Sequence, residues 1–238
     1  MTVQVEAHEQ SEAQVPVESR VYVVDDDASV RRSLGRLLEA HGYTVQCHES
    51  AESLLTTLPE NSTGCALVDV HLPNVGGVQL QGWLATHSPA LAAIFLTGYG
   101  DLGTAVTVMK HGAVDYLIKP ASEETLLPAV REALLRSART RVKLAAEQRI
   151  SEAMALLTRR EREVMEHVVG GRLNKQIAAD LGIAEKTVKV HRSRVMTKMG
   201  VRSVVELARR CQALGIAGPH LPGAPPRRKT RPQGPSPW

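Results

Sequence analysis

The sequence is poor in aromatic residues and in cysteine. Of its 238 residues, seven are Phe, Trp or Tyr, and none of these lies between Tyr116 and Trp238. The cysteines Cys47, Cys65 and Cys211 have no CxxC spacing, which argues against a disulfide framework and a zinc finger. No apolar run approaches the roughly 20 residues that cross a bilayer, and the acidic N-terminus lacks an apolar signal core. We therefore expect no membrane partner and a reducing, cytoplasmic location.

Charge is distributed unevenly along the chain. Residues 1–19 carry four acidic and no basic residues, residues 20–136 carry 13 acidic and 8 basic residues, and residues 137–238 carry 8 acidic and 21 basic residues. This change of sign predicts two domains with different partners, and the basic one favours nucleic acid or an anionic surface. Because the basic part has almost no aromatic side chains on which unpaired bases could stack, we expect the partner to be duplex DNA.

Residue patterns divide the chain into five segments. We predict a disordered acidic leader (1–19), a first domain (20–136), a helical linker (137–156), an all-α second domain (157–214), and a disordered tail rich in Pro, Gly and basic residues (215–238).

The first domain alternates short apolar runs with segments of helical period. This alternation predicts an α/β fold, a doubly wound five-stranded parallel sheet with helices on both faces. The expected strands are 20–24, 43–47, 65–69, 92–96 and 114–118.

Polar residues stand where four of these strands end. Asp25 and Asp26 follow the first strand, Asp69 ends the third, Thr97 follows the fourth and Lys119 follows the fifth. Since the carboxyl ends of parallel strands share one edge, these groups should converge there. Clustered carboxylates favour Mg²⁺, and Asp69 could act as a nucleophile that forms an acyl phosphate. The Thr97 hydroxyl and the Lys119 ammonium could each contact a phosphoryl oxygen.

Two local features are expected beside this edge. Asp27 precedes a helix and should be its N-cap. The bond between Lys119 and Pro120 precedes a proline and can therefore be cis.

Residues 174–199 have the pattern of a helix-turn-helix. Gly182 supplies the tight turn, and a helix that begins near Glu185 buries a valine face. A basic opposite face fits the major groove, although a merely solvated basic helix in a small bundle would show the same pattern. The buried positions are Val188, Val195 and Met199, and the basic face carries Lys186, Lys189, Arg192, Ser193 and Lys198.

Four motifs resemble the receiver domain of two-component response regulators. They are VDDDASVRRSL at 24–34, LVDVHLPNVGG at 67–77, FLTGYGD at 95–101 and DYLIKP at 115–120. The resemblance implies a histidine kinase as partner and a phosphoacceptor aspartate beside bound Mg²⁺. It assigns the acceptor to Asp69, the metal to Asp25, Asp26 and Asp69, and the phosphate contacts to Thr97 and Lys119.

The same resemblance implies a switch. Thr97 and Tyr116 would couple phosphorylation to a change on the fourth helix and fifth strand. His71 and Tyr99 stand at positions where the family varies, and we expect them to modulate the lifetime of the acyl phosphate. Ala121 stands where a Phe is frequent, which leaves the form of the dimer face open.

Residues 157–199 resemble the LuxR-type output domain, so that the whole chain is similar to regulators of the FixJ/NarL type. The resemblance implies base contacts from Lys189, Val190 and Ser193, and DNA backbone contacts from Thr187, His191, Arg192 and Lys198. Glu161 is interpreted as a helix cap and Glu163 as an internal ion-pair partner. Ala184 replaces a Ser that is common before the recognition helix, so that cap should be weaker.

The predicted function is a phosphorylation-switched, DNA-binding transcription regulator and not an enzyme. We expect an activator that forms a homodimer on phosphorylation and acts with RNA polymerase. One alternative is a constitutive DNA-binding protein whose receiver only mediates dimerisation. Another is an aspartyl-phosphate hydrolase, but such enzymes need a second acid two residues after the nucleophile, and His71 stands there.

Overall fold

The computed structural model describes residues 20–98 and 102–216, so the predicted leader, the tail from residue 217 and Tyr99 lie outside the described residues. The described chain forms two compact units, one up to Leu144 and one from Ala145. Within these ranges, no helix combines the length and apolar character needed to cross a bilayer.

The first unit is a parallel five-stranded sheet, as predicted. Its strand order is β2-β1-β3-β4-β5. Its central strand, β3, ends at Asp69, which places that residue in the middle of the carboxyl edge. The strands are β1 Arg20–Val24, β2 Thr44–His48, β3 Gly64–Asp69, β4 Leu91–Thr97 and β5 Asp115–Ile118. The helices are α1 Ala28–Ala40, α2 Ala51–Thr57, α3 Gly77–His87, α4 Leu102–Lys110 and α5 Glu123–Ala155.

Alternation along the strands builds a core on each face of the sheet. In β1, Tyr22 and Val24 face the core that α2, α3 and α4 cover, whereas Val21 and Val23 face the core under α1 and α5. All four side chains are buried. Packing on both faces fixes the strands, and therefore the positions of the polar residues at their ends.

The last helix of the first unit, α5, is one continuous helix that includes residues 137–155. The division between the two units, after Leu144, therefore falls within this helix. The boundaries that we predicted for leader, domains, linker and tail remain predictions.

The second unit contains four more helices in its described part: α6 Arg159–Val169, α7 Asn174–Leu181, α8 Glu185–Lys198 and α9 Val204–Ala213. Gly182 ends α7 in the left-handed conformation, with φ 64°, which an L side chain adopts only with strain. Val188 and Val195 of α8 are buried in a core to which α6, α7 and α9 contribute. The turn and buried helix face predicted for a helix-turn-helix are therefore present.

Candidate functional site

Three carboxylates meet at the carboxyl edge of the sheet. Asp25 is 1% exposed, Asp69 is 7% exposed and Asp26 is exposed. One carboxylate oxygen from each residue lies within 4.8 Å of the others. β1 and β3 are neighbours in the sheet, so their ends bring these residues together from distant parts of the sequence. Like charges this close repel one another unless a cation lies among them.

Lys119 supplies such a cation from the end of β5. Its Nζ lies 2.5 Å from Asp25 Oδ2 and 2.7 Å from Asp69 Oδ2. Burial lowers the pKa of Lys119, but the hydrogen bonds and charges of the two aspartates outweigh it and raise the pKa overall. The Lys119–Pro120 bond is cis, the isomer that the sequence allows, and the backbone N–H of Lys119 donates to the Thr97 carbonyl at 2.7 Å.

The remaining oxygens of the two buried carboxylates accept backbone hydrogen bonds. Asp25 Oδ1 accepts from the N–H of Asp27 at 3.0 Å, and Asp69 Oδ1 accepts from the N–H of His71 at 3.1 Å. Asp27 caps α1, because its Oδ1 accepts from the N–H groups of residues 29 and 30. These backbone hydrogen bonds lower the pKa of Asp27. The site is therefore held by backbone geometry as well as by the Lys119 ammonium.

The predicted switch residues lie on the neighbouring strands β4 and β5. Thr97 ends β4 and is fully buried. Tyr116 of β5 packs against the core under α2, α3 and α4, and its hydroxyl is buried without a hydrogen-bond partner among the described residues. His71 is exposed directly beyond Asp69, whereas Tyr99 is outside the described chain.

Two further residues lie beside this site, and we did not predict either of them from the sequence. Arg31 Nη1 donates to the backbone carbonyl of Asp25 at 2.5 Å. Gly77 begins α3 so close to the site that a Cβ there would lie 2.9 Å from the Asp69 carbonyl oxygen and 3.0 Å from Phe95 Cε1. The glycine pair in LVDVHLPNVGG was the available signal for this close approach.

In the second unit, α8 presents most of the predicted DNA contacts on its outward side. Lys189, Ser193 and Thr187 are exposed, and Val190 is 45% exposed. Two further predicted contacts, His191 and Arg192, are half-buried, and Arg192 Nη1 donates to Asn174 Oδ1 of α7 at 3.0 Å. The N-cap position of α8 is Ala184, which makes no side-chain cap, as the sequence predicts.

Lys198 differs from the other predicted contacts. Its Nζ lies 2.6 Å from Glu161 Oε2 and 2.9 Å from the Leu156 carbonyl oxygen, so its charge is neutralised inside the domain. Glu161 is 2% exposed and caps α6 through a capping box with Thr158, as expected. The hydrogen bond from Lys198, followed by that from the Thr158 backbone, lowers the pKa of Glu161 to about 2.

Glu163 is an ion-pair partner, as expected, but it is half-buried at the surface of the domain and not internal. Its carboxylate lies 3.2 Å from Arg159 Nε and 2.7 Å from Arg160 Nη1. Arg160 in turn donates to the Leu181 carbonyl at 2.7 Å, which joins α6 to the end of α7.

Comparison with known proteins matches both units to families. Residues 21–131 match the response regulator receiver domain, and residues 155–211 match the bacterial regulatory proteins of the luxR family. The transcriptional regulatory protein FixJ of Azorhizobium caulinodans is 41% identical over 203 residues, 85% of this chain and 96% of FixJ. Nodulation protein W of Bradyrhizobium diazoefficiens is 40% identical over 200 residues, 84% of this chain and 88% of that protein.

Two solved structures extend these matches. The response regulator StyR has a TM-score of 0.69 at 37% identity, covering 81% of this chain and 98% of StyR. Full-length FixJ from B. japonicum has a TM-score of 0.51 at 36% identity, covering 83% of this chain and 98% of FixJ. The chain therefore belongs to the two-component response regulators that join a receiver domain to a LuxR-type DNA-binding domain, and it is a transcriptional regulator of the FixJ type.

Proposed function

We propose that Asp69 accepts a phosphoryl group from a histidine kinase and that the phosphorylated chain binds duplex DNA as a homodimer and activates transcription. The observation that carries this proposal is the shared contact of Asp69 and Asp25 with the Lys119 ammonium, beside the exposed carboxylate of Asp26. A phosphoryl group on Asp69 would bring about −1.5 to −2 charge into this cluster, enough to rearrange the donors around it.

The donor set suits a hard cation. Asp25, Asp26 and Asp69 offer carboxylate oxygens only, the ligands that Mg²⁺ takes in phosphoryl-transfer sites. Bound there, Mg²⁺ would neutralise charge on the transferring phosphoryl group. The Asp69 carboxylate would attack phosphorus, and the bond from phosphorus to the kinase imidazole nitrogen would break.

The neighbouring strand ends would then hold the product. Lys119 would pass from the two carboxylates to a phosphoryl oxygen as a point charge. The Thr97 hydroxyl would donate to a second oxygen, and Tyr116 would respond because it lies on the adjacent strand. His71, exposed beside Asp69, and Tyr99 would set how easily water reaches the acyl phosphate.

For the output domain, we place α8 in the major groove. Lys189, Val190 and Ser193 would meet base edges, and the exposed apolar Val190 suits a thymine methyl group. Thr187, His191 and Arg192 would contact phosphates. Lys198 is left out of this set because Glu161 holds its ammonium. The dimer bound at the promoter would then contact RNA polymerase.

A phosphate-affinity gel tests the acceptor. Wild type, Asp69→Ala and the control Glu60→Ala are incubated with Mg²⁺ and acetyl phosphate; Glu60 is an exposed carboxylate in the loop before β3. We expect a shifted band for wild type and for Glu60→Ala, and no shifted band for Asp69→Ala. A shifted band of equal strength for Asp69→Ala would remove Asp69 from the proposal.

The alternative of a constitutive DNA-binding protein has its own readout. Beryllofluoride mimics the acyl phosphate, and we expect it to convert the wild-type chain, but not Asp69→Ala, from monomer to dimer in light scattering. An Asp69→Asn chain that regulates normally in cells would instead favour a receiver that serves only for dimerisation.

A further inference from the structure

A cleft of about 260 Å³ lies at the other edge of the receiver sheet, away from Asp69. Its walls come from the second half of α3, the beginning of β4, the end of α4 and the middle of α5. All of these segments belong to the first unit. At the packing density of protein interiors, this volume admits a molecule of roughly ten non-hydrogen atoms.

The cleft lining carries one fixed positive charge, that of Arg136. Arg136 of α5 and His111 after α4 both line it, and among its lining residues there is no Asp or Glu. Arg136 Nη1 donates to the Ala113 carbonyl at 3.4 Å, which uses one of the five N–H groups of the guanidinium. The His111 ring Nδ1 donates to the Thr107 carbonyl at 2.8 Å. An anion could therefore be bound by the remaining guanidinium donors.

The cleft lining also includes a buried hydrogen-bond acceptor. Gln81 of α3 lines the cleft and is 6% exposed. Its Nε2 donates to the His111 carbonyl at 3.1 Å, but its Oε1 is buried without a hydrogen-bond partner among the described residues. A buried acceptor without a donor is unfavourable, and a hydroxyl group of a bound molecule would relieve it.

We propose that this cleft binds a small organic anion that carries a carboxylate and a hydroxyl group. The carboxylate would lie on the Arg136 guanidinium, and the hydroxyl would donate to Gln81 Oε1. The hydroxyls of Ser137 and Thr140 complete the polar wall, although Ser137 Oγ already accepts from the Gly64 N–H at 2.8 Å. This binding would give the receiver a second ligand, separate from the phosphoryl group.

Calorimetric titration of the full chain tests the proposal with malate and with succinate, which lacks only the hydroxyl group. We expect saturable binding of malate and roughly tenfold weaker binding of succinate, the size of one lost hydrogen bond. Arg136→Gln should abolish binding of both acids. Arg139→Gln, an exposed arginine on the same helix outside the cleft, should leave both affinities unchanged.

The second contact has its own variant. Gln81→Met keeps the size of the side chain and removes the acceptor, so it should lower malate affinity to that of succinate. If that buried substitution unfolds the receiver, the exposed Arg136→Gln and Arg139→Gln pair still decides the matter. Absence of saturable binding of either acid at millimolar concentration, or equal malate affinity in wild type and Arg136→Gln, would overturn the proposal. Asp69→Ala should keep malate binding, which separates this site from the phosphoacceptor.

Discussion

The Lys119 ammonium lies 2.7 Å from Asp69 Oδ2 and also contacts Asp25, so one cation holds together the carboxylates that a metal ion would share. Its raised pKa keeps it charged at neutral pH. A divalent ion that entered this cluster would therefore approach a like charge, and the proposed phosphorylation of Asp69 would have to redirect the same ammonium.

Removal of that charge should strengthen metal binding. We expect Lys119→Met to bind Mg²⁺ about tenfold more tightly than wild type in calorimetric titration, because the repulsion is gone. The same variant should lose the beryllofluoride-dependent dimer, since the ammonium no longer reaches the acyl phosphate mimic. Lys110→Met, an exposed lysine at the end of α4, is the control and should change neither result. Unchanged or weaker Mg²⁺ binding in Lys119→Met would contradict this account.

Gly77 should tolerate no side chain. In Gly77→Ala the new methyl group would meet the Asp69 carbonyl oxygen at 2.9 Å and Phe95 Cε1 at 3.0 Å, so α3 must shift. We expect a loss of about 1–3 kcal/mol in the free energy of unfolding and slower phosphorylation of Asp69. Chemical denaturation and the phosphate-affinity gel measure the two effects.

Gly82 on the same helix is the matched control. It is exposed, and nothing lies within 4 Å of a Cβ there. Because alanine is the better helix former, Gly82→Ala should stabilise the receiver by roughly 0.5–1 kcal/mol. Equal destabilisation by both substitutions would mean that the close approach at Gly77 is not the cause.

The output domain should lose stability in acid through Glu161. The pKa of its carboxyl is about 2, against 4.5 for an unperturbed glutamate. Because this pKa is lower in the folded than in the unfolded protein, the ionised carboxylate stabilises the fold at pH values above the unfolded pKa. This contribution disappears as the pH falls from about 5 towards 2. Glu161→Gln should be less stable than wild type at neutral pH, and the difference should shrink towards pH 2.

Denaturant unfolding of the second unit at several pH values measures this difference. Glu166→Gln, a substitution on the same helix, should follow the wild-type pH profile in parallel. A Glu161→Gln profile that also runs parallel to wild type across this range would show that the Lys198 pair does not contribute.

A serine at the N-cap of α8 should stabilise the output domain. Ala184 has the extended backbone of an N-cap but offers no side-chain acceptor. Ala184→Ser should raise the free energy of unfolding by about 1 kcal/mol, measured by denaturant unfolding. Ala179→Ser, at an exposed position inside α7, lacks this opportunity and should be neutral or slightly destabilising. A stabilisation shared by both variants would contradict the capping argument.

The regular elements could be predicted because their signals are local. Continuous apolar runs located all five strands: β1 has the expected bounds, and the ends of the other four differ from the expected ones by at most one residue. Capping residues such as Asp27 located helix starts. The convergence of Asp25, Asp69 and Lys119 followed from parallel strand ends.

We did not predict the contacts that join residues far apart in sequence or that depend on close packing, because local patterns do not show them. Lys198 lies on the basic face by helical period, but period alone does not show that Glu161, on another helix, reaches its ammonium. Likewise, the space at Gly77 depends on the ring of Phe95 in β4, which the local motif does not include.

Arg192 and Lys198 give the sharpest test of the DNA surface, because the resemblance to the LuxR-type output domain implies DNA phosphate contacts for both of them. Each phosphate contact contributes about one unit to the slope of log affinity against log salt. Arg192→Gln should therefore weaken binding to a promoter fragment and reduce this slope by about one unit. Lys198→Met should leave the slope unchanged and lower the melting temperature of the output domain, since it leaves the buried Glu161 carboxylate without its partner. Fluorescence anisotropy from low to moderate salt, with thermal melts of the same samples, distinguishes the two roles. If both variants reduced the slope equally, Lys198 would be a DNA phosphate contact after all.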